Sequence, residues 1–233
     1  MSSKHSVVGT GGTRESIWAG PPDPGARSGI LAGASFVAGV AAALSLADAP
    51  YPRPGSEPAD VLRYFRENPG AARISVVGQL ISATSLARFT ASVARLASRS
   101  GRGSGLLRTT AVAGGALAAA ALATSDTISA MLTGRRGEQA SDAAALHRWG
   151  FAAGGPVHGA GFGLLVGSLG LAGLRTGELP RPLAIAGLAS AAAGLLSPLY
   201  FVAKPAAWFI PAGRFSGLLV RGIAGARLGG RPR

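Results

Sequence analysis

Hydrophobic residues gather into blocks that are each about as long as a membrane-spanning helix. At 1.5 Å per residue, a helix of about 20 apolar residues crosses the hydrocarbon core of a bilayer. The polar segments between the blocks are short and rich in Arg, Gly and Ser, as expected of loops. The pattern predicts an all-α fold, a polytopic transmembrane helix bundle of about six spans in a domain over residues 29–225. The predicted spans are residues 29–47, 74–94, 109–133, 150–174, 182–203 and 206–224.

Two boundaries of this pattern allow an alternative. The first block ends in Ala47-Asp48-Ala49, which matches the cleavage pattern of a signal peptide, but Pro50 would follow the cut and the preceding polar region is long. We therefore expect a retained helix. The last two blocks are separated only by Lys204-Pro205, so a re-entrant pair would also fit that region.

Polar segments complete the predicted organisation. We expect residues 1–28, rich in Gly, Ser and Pro, to be a disordered cytoplasmic tail, and residues 226–233 to be a basic cytoplasmic tail. A short helix is predicted near residues 57–68, with Ser56 as its cap and Pro58 in its first turn. Its apolar side, which includes a Tyr and a Phe, suits an extracytoplasmic helix at the membrane interface.

Composition supports the membrane setting. The chain has 233 residues, a mean hydropathy of +0.33 and 14% charged residues, against about 25% in soluble domains. Its net charge of +13 would suggest nucleic-acid binding if the cations formed one face. They lie instead between the apolar blocks, and few aromatic residues are present for base stacking. Nucleic acid is therefore not an expected partner.

The distribution of Lys and Arg predicts the orientation. With the N-terminus inside, the inner segments, Arg221 included, hold 13 of these residues and the outer segments hold 8. Positive residues favour the cytoplasmic side, so both termini are predicted to be cytoplasmic in a multi-pass protein of the cell membrane. The lipid bilayer is the expected partner, together with anionic lipid headgroups on the cytoplasmic side.

No sequence motif points to catalysis or to a cofactor. The absence of Cys excludes disulfides, thiolate nucleophiles and Cys-based metal sites. His147 and His158 are 11 residues apart, close to three helical turns, but a haem lacks opposing ligands because the remaining histidine lies in the tail. A zinc site from His158 and Asp126 lacks a third ligand. Motifs such as Gly-x-Ser-x-Gly and His-Glu-x-x-His do not occur. We expect no cofactor, no metal and no catalytic residue.

Charged residues inside the predicted spans are the candidates for function, because a charge at mid-membrane costs at least about 2.5–3.5 kcal/mol. Asp126, His158 and Arg214 all fall in the outer halves of their spans. They predict an intramembrane polar cluster with an Asp–Arg pair, to which His158 can donate. The cluster can pin helices together, bind a substrate or proton, or hold a lipid headgroup. Arg88 either snorkels to the inner surface or joins a pair.

A ladder of glycines predicts close helix packing. Gly155, Gly159, Gly163 and Gly167 repeat every four residues along one span, and small residues at this spacing let helix backbones approach closely. The partner helix belongs either to this chain or to a second copy in a homo-oligomer.

Two stretches carry a family resemblance. Residues 59–69 (ADVLRYFRENP) before one span, and residues 151–158 (FAAGGPVH) opening another, resemble actinobacterial multi-pass membrane proteins of unknown function. The resemblance implies a six-span protein of the cell membrane with no assigned reaction, in which Pro156 kinks the start of a span. It assigns no catalytic residue.

The sequence therefore leaves the activity unassigned. A structural or accessory role in the membrane is the first hypothesis, and a small transporter or channel that uses the polar cluster is the alternative. A transporter needs a wet cavity that reaches Asp126 and Arg214, whereas a structural pair would be sealed by packed side chains. An intramembrane enzyme would need a reacting group near His158 with oriented partners.

Overall fold

The computed structural model of the chain describes residues 23–134 and 140–230, with side chains from residue 142 onward in the second range. These residues form helices joined by short non-helical connections, without a strand, which confirms the all-α prediction. Between α5 and α6 lies a π-helical turn, Ala153–Val157, and 3₁₀ turns at Ser197–Phe201 and Lys204–Trp208 join α7 to α8. The α-helices of the described residues are α1 (Ser28–Leu46), α2 (Pro58–Glu67), α3 (Pro69–Ser98), α4 (Ser104–Gly134), α5 (Ala140–Ala152), α6 (His158–Thr176), α7 (Arg181–Leu196) and α8 (Phe209–Gly229).

Four helical segments among the described residues are long and apolar enough to cross a membrane. Helices α3, of 30 residues, and α8, of 21 residues, also have the necessary length but are more polar. Both nevertheless expose large apolar side chains such as Leu80 and Leu219. A bundle with an apolar outer surface is what a bilayer requires. The four segments are Ser28–Leu46, Ser104–Gly134, Asp142–Thr176 and Arg181–Phe201.

The six long segments pack as a ring in the order α1, α3, α4, α6, α7, α8, with α8 returning to α1. Helix α6 also contacts α3 and α8, so it lies nearest the centre. The core is built from fully buried side chains on these helices, including Phe89 of α3, Phe162 and Leu165 of α6 and Val220 of α8. Short connections make sequential helices antiparallel, so the bundle has two distinct ends.

Three of the four glycines in the predicted ladder lie against α7 or the 3₁₀ turn that follows it. A Cβ on Gly159 would meet the Ser197 hydroxyl at 2.5 Å, one on Gly163 would meet the Ala191 carbonyl oxygen at 2.9 Å, and one on Gly167 would meet the Ala191 Cβ at 3.0 Å. The partner helix of these three glycines is therefore in the same chain. Gly155 does not join them: its nearest neighbours, from Phe151 and Ile210, are 3.5 Å or more away. It lies inside the π turn, where the extra residue rotates the preceding helix by roughly 100°.

One end of the bundle, which we call the aromatic end, carries Tyr51, Tyr64, Phe65 and His147. Helix α2 forms there, and its apolar side packs against Leu132 of α4 and Ala143 of α5 rather than pointing away from the protein. Pro58 occupies the first turn as expected. The prediction that Ser56 caps α2 is wrong: Glu57 precedes the helix, and the Ser56 hydroxyl instead accepts a hydrogen bond from the Arg53 backbone N–H at 3.0 Å.

The opposite end, which we call the terminal end, is held by two ion pairs. Arg95 of α3 bonds Asp23 at 2.8 Å, and Arg99 bonds Glu178 at 3.0 Å. Partial burial raises the pKa of Asp23, but hydrogen bonds from Arg95 and the charge of that arginine outweigh burial and hold the pKa below its ordinary value. The Asp23 backbone N–H also donates to the Leu228 carbonyl oxygen at 3.1 Å. The two described ends of the chain therefore lie together.

These contacts bear on the predicted tails. Residues 23–27 were assigned to the N-terminal tail, yet they form a turn against α3 and α8, with Ala26 fully buried. Helix α8 continues to Gly229, into the predicted C-terminal tail. The rest of the predicted tails, residues 1–22 and 231–233, lies outside the described residues.

Candidate functional site

The π turn is the local feature from which the candidate site is built. Pro156 has no N–H and cannot complete an α-helical hydrogen bond to the Ala152 carbonyl oxygen, and the helix forms a π turn at Ala153–Val157. The Ser197 hydroxyl donates to the Pro156 carbonyl oxygen at 2.9 Å. The guanidinium of Arg214, on α8, donates through Nη2 to the Gly154 carbonyl oxygen. Proline and glycine thus place two acceptors inside the bundle, and one of them orients Arg214.

A cavity of about 370 Å³ lies above this turn, on the aromatic side of the bundle. Helices α1, α3, α4 and α8 and the π turn contribute to its walls, and Tyr51, Tyr64 and Phe65 border it at the aromatic end. Its volume falls within the range of about 300–1,000 Å³ that is typical of small-molecule sites. The space exists because α1 packs closely on α3 at Gly39 and Gly78 but does not fill the gap toward α5 and α8.

Arg214 lines this cavity and has no acidic partner in the described part of the chain. Its Nε has no hydrogen-bond partner, and the Gly154 carbonyl oxygen accepts its only described hydrogen bond. The centre of the guanidinium is 5.4 Å from the centroid of the Phe36 ring on α1, within the range of a cation–π contact. A buried cation that lacks a counterion is costly, so an anion placed here would be stabilised.

The rest of the cavity lining combines apolar walls with a few neutral polar groups. Helix α1 contributes Phe36, Val40, Ala43 and Leu44, while Phe151 and Ile210 face them from α5 and the start of α8. Among the described residues, no Asp or Glu lines the cavity. The polar lining consists of Ser75 and Gln79 on α3, Ser125 and Ser129 on α4, the hydroxyls of Tyr51 and Tyr64, and Arg214.

Tyr51 closes the cavity at the aromatic end. Its ring contacts Tyr64, with centroids 5.3 Å apart, and His147, with centroids 5.6 Å apart. The side chain is 49% exposed because it borders the cavity and an outer groove, but its hydroxyl is set deep among other groups. This burial raises the pKa of Tyr51 to about 12, although the Ser129 hydroxyl opposes the shift. Tyr51 therefore stays a neutral hydrogen-bond donor and acceptor at physiological pH.

His158 lies below the π turn, in the core. Its Nδ1 is 2.9 Å from the Ala118 carbonyl oxygen of α4. A carbonyl oxygen only accepts, so Nδ1 carries the hydrogen. The imidazole stacks on the Phe162 ring with centroids 5.7 Å apart. Arg214 and Arg221 both act electrostatically on His158. The structure thus places His158 and Arg214 in one region of the bundle.

Asp126 lies apart from that pair. It is 1% exposed, and neither carboxylate oxygen has a hydrogen-bond partner in the described part of the chain. The group on which it acts electrostatically is Tyr51. No direct hydrogen bond joins Asp126 to His158 or Arg214, and Asp126 does not line the cavity. A water-bridged connection stays a prediction.

Arg221 is a buried cation that was not predicted as a site residue. It counts among the inner cations by its sequence position, but it lies within α8, is 2% exposed and has no hydrogen-bond partner for Nε or Nη2. Its guanidinium lies over the Phe162 ring, 5.2 Å from the centroid. A usable signal was present: Arg214 and Arg221 are seven residues apart, about two helical turns, and therefore share a face. Arg88, by contrast, is exposed on the outside of α3.

The two histidines on the α5–α6 segment do not share a face. His147 contacts Tyr51 and Phe65, whereas His158 contacts Ala118 and Phe162. The π turn between them adds a residue to the helix and rotates one histidine away from the other. In the described residues, no three His, Asp or Glu side chains come together as metal ligands.

Comparison with known proteins gives a family but no activity. The family model described as "Domain of unknown function (DUF4386)" matches residues 30–221. The match begins within α1 and ends within α8, so it includes every helix that lines the cavity, together with Arg214 and Arg221. No curated protein and no solved structure matches the chain. Because the family model matches most of the length of the chain, the chain belongs to the DUF4386 family of unknown function.

Proposed function

We propose that this protein crosses the cell membrane six times, with both termini in the cytoplasm and α2 at the extracytoplasmic interface. The ring of six long segments supports six crossings. Helices α3 and α8 each lie between two helices that are apolar enough to span a membrane, and both are long enough to span it as well. The bias of Lys and Arg supports the orientation even after Arg221 is removed from the inner count. The basic terminal end would then face anionic lipid headgroups.

The topology is testable with reporter fusions at residue 233 and at Gly137. A cytoplasmic reporter should be active at residue 233, and an extracytoplasmic reporter should be active at Gly137. The opposite result at either site would contradict the orientation.

Within this topology, we propose that the protein is a small transporter that binds its ligand from the extracytoplasmic side, in the cavity above the π turn. One observation carries this proposal: Arg214 is an unpaired cation at the wall of an open cavity of about 370 Å³. A residue that only pinned helices together would be sealed by packed side chains. Arg221, two turns further toward the terminal end, supplies a second unpaired cation on the same helix face.

The proposal predicts which positions can be reached by water. The chain has no Cys, so single cysteines can be introduced without other changes. Ser125→Cys and Ser129→Cys, which line the cavity, should react with a membrane-impermeant thiol reagent added from the aromatic end. Ser190→Cys is the matched control, because Ser190 is buried and donates to the Gly213 carbonyl oxygen. Labelling of the cavity variants no faster than the control would refute the open cavity.

A second position distinguishes transport from binding alone. A Cβ on Gly33 would lie 3.5 Å from Nη2 of Arg221, an ordinary contact, so Gly33→Cys should fold normally. In a transporter with alternating access, the bundle opens at times toward the terminal side. The Gly33→Cys thiol should then react slowly with a membrane-impermeant reagent added from that side, while the cavity variants react with reagent added from the aromatic side. If Gly33→Cys resists labelling from the terminal side under all conditions, the cavity is a binding site without a passage.

A further inference from the structure

We infer that the ligand of this cavity is a small organic anion, a monocarboxylate with a compact apolar body whose carboxylate binds Arg214. The inference rests on the proposed ligand-binding function and adds its chemical class. Three features of the cavity determine that class: its charge, the chemistry of its walls and its size.

The charge is determined by Arg214. Among the described residues, Arg214 is the only charged side chain that lines the cavity, and no carboxylate offsets it. Nη2 donates to the Gly154 carbonyl oxygen, which fixes the plane of the guanidinium at the cavity wall. A planar guanidinium without an acidic partner matches a carboxylate, which accepts hydrogen bonds from it. One cation and one planar donor set therefore favour a monocarboxylate over a cation or a neutral sugar.

The walls determine the body of the ligand. Aromatic rings form much of the cavity wall, and aliphatic residues of α1 form part of the remainder. The rings belong to Phe36, Phe65, Phe151, Tyr51 and Tyr64. An inorganic anion would leave these walls facing water, whereas an apolar body would cover them and gain about 25 cal/mol per Å² of buried apolar surface. The serine hydroxyls and Gln79 on the α3 and α4 side can donate to a second polar group of the ligand.

The size excludes a complete phospholipid. At about 370 Å³, the cavity is near the lower limit for small-molecule sites, so it admits a ring-sized or short-chain body but not two acyl chains. An outer groove, which shares Phe151 and Ile210 with the cavity, carries Arg53 and Lys204. Cations at this position attract an anion toward the entrance.

The test uses the full chain, purified in detergent, with the Ser125→Cys substitution as reporter. Phenylacetate is the probe. Two compounds serve as controls: 2-phenylethylamine has a similar apolar group but the opposite charge, and inorganic phosphate is an anion without an apolar group. Phenylacetate at about ten times its Kd should slow thiol labelling about tenfold, while the other two leave the rate unchanged. Decanoate, a fatty acid, tests whether the carboxylate comes from a lipid. If decanoate slows thiol labelling more strongly than phenylacetate does, the ligand is a fatty acid and not a compact aromatic acid.

Variants connect the effect to Arg214. Arg214→Gln in the reporter background should weaken protection by phenylacetate at least about 30-fold, since removing one partner of a buried charge pair costs 2 kcal/mol or more. Arg88→Gln, on the outer surface of α3, is the matched control and should keep full protection. If Arg214→Gln does not fold, the comparison of phenylacetate with 2-phenylethylamine still decides the question without that variant.

The outcomes separate the two proposals. No labelling of the reporter in the absence of any probe contradicts the open cavity and hence the proposed function. Normal labelling with equal protection by phenylacetate and 2-phenylethylamine, or with none by any carboxylate, overturns only the assignment to organic anions.

Discussion

The guanidinium of Arg214 donates a hydrogen bond to the carbonyl oxygen of Gly154, inside the π turn that interrupts the α5–α6 segment. The contact fixes the position of the cation at the cavity wall. Bulges of this kind occur frequently at functional sites. In this protein the irregular backbone lies where it lines a cavity, which is where a bilayer tolerates it.

The first prediction concerns the glycines of α6. Gly163→Ala should destabilise the protein by about 1–3 kcal/mol, because the new Cβ would meet the Ala191 backbone oxygen at 2.9 Å and the helices would have to separate. Gly155→Ala is the matched control from the same sequence ladder, and its nearest contacts of 3.5 Å or more are ordinary. Thermal unfolding in detergent measures both. Equal losses for the two variants would contradict the rotation of Gly155 away from α7.

The spacing of these residues shows what the sequence could predict. Blocks of about 20 apolar residues predict helices because a helix of that length matches the thickness of a bilayer, and the described residues are helical and strand-free, as predicted. Arguments about which residues share a face assumed 3.6 residues per turn throughout, and the π turn breaks that assumption for Gly155 and for His147. Pro156 predicted an irregularity at this point but not its type. Proline can bend a helix or convert a turn to π geometry, and neighbouring residues decide between these outcomes.

The candidate site was predictable in part for a related reason. Sequence position gives the expected depth of a charged residue, and Arg214 acts electrostatically on His158 in the structure. Depth does not give the hydrogen-bond partners of a side chain, and neither carboxylate oxygen of Asp126 bonds to the other two residues. The cavity itself results from incomplete packing between α1 and helices distant in the chain. No local pattern of residues encodes such a gap.

The second prediction concerns Arg221. Arg221→Met should raise the midpoint of thermal unfolding, because the substitution removes a buried cation with two unpaired nitrogens and keeps a side chain of similar length over Phe162. Arg88→Met on the exposed surface of α3 should change the midpoint little. A large loss of stability in Arg221→Met would show that the contact with Phe162 outweighs the cost of burying the charge.

The third prediction concerns pH and the terminal end. The folded state holds the pKa of Asp23 below its ordinary value of 3.8, so the unfolded chain takes up this proton first as the pH falls. The stability that the ionised carboxylate provides is therefore fully present above about pH 4 and is lost as the pH falls through the folded value. Asp23→Asn should remove about 0.2–1 kcal/mol at pH 7 and flatten this part of the pH profile.

Asp60→Asn provides the comparison for that experiment. Asp60 pairs with Arg63 at 2.5 Å on the exposed surface of α2, three residues away. The exposed pair should contribute less than the partly buried one, so the loss in Asp60→Asn should be smaller. If Asp23→Asn and the unsubstituted protein have the same midpoint of thermal unfolding at pH 7, the Arg95–Asp23 ion pair does not stabilise the terminal end.

The last prediction concerns the coupling between Asp126 and Arg214. If the two side chains paired directly, Asp126→Asn would leave Arg214 unpaired, and adding Arg214→Gln would restore part of the loss. The structure shows neither carboxylate oxygen bonded and no carboxylate beside Arg214. Asp126→Asn should therefore leave stability unchanged or raise it, since it removes a buried charge that has no partner. Its effect should add to that of Arg214→Gln within about 0.5 kcal/mol.

A double-mutant cycle by thermal or denaturant unfolding in detergent measures this coupling. Coupling above about 0.5 kcal/mol would mean that water bridges the two groups, as the sequence predicted, and the polar cluster would then include all three residues. Additivity would confine the site to Arg214, with His158 beside it, and leave Asp126 as a neighbour of Tyr51. Tyr51→Phe separates these cases further: it should change the effect of Asp126→Asn and leave that of Arg214→Gln unaltered, because Asp126 acts electrostatically on Tyr51 and Arg214 does not.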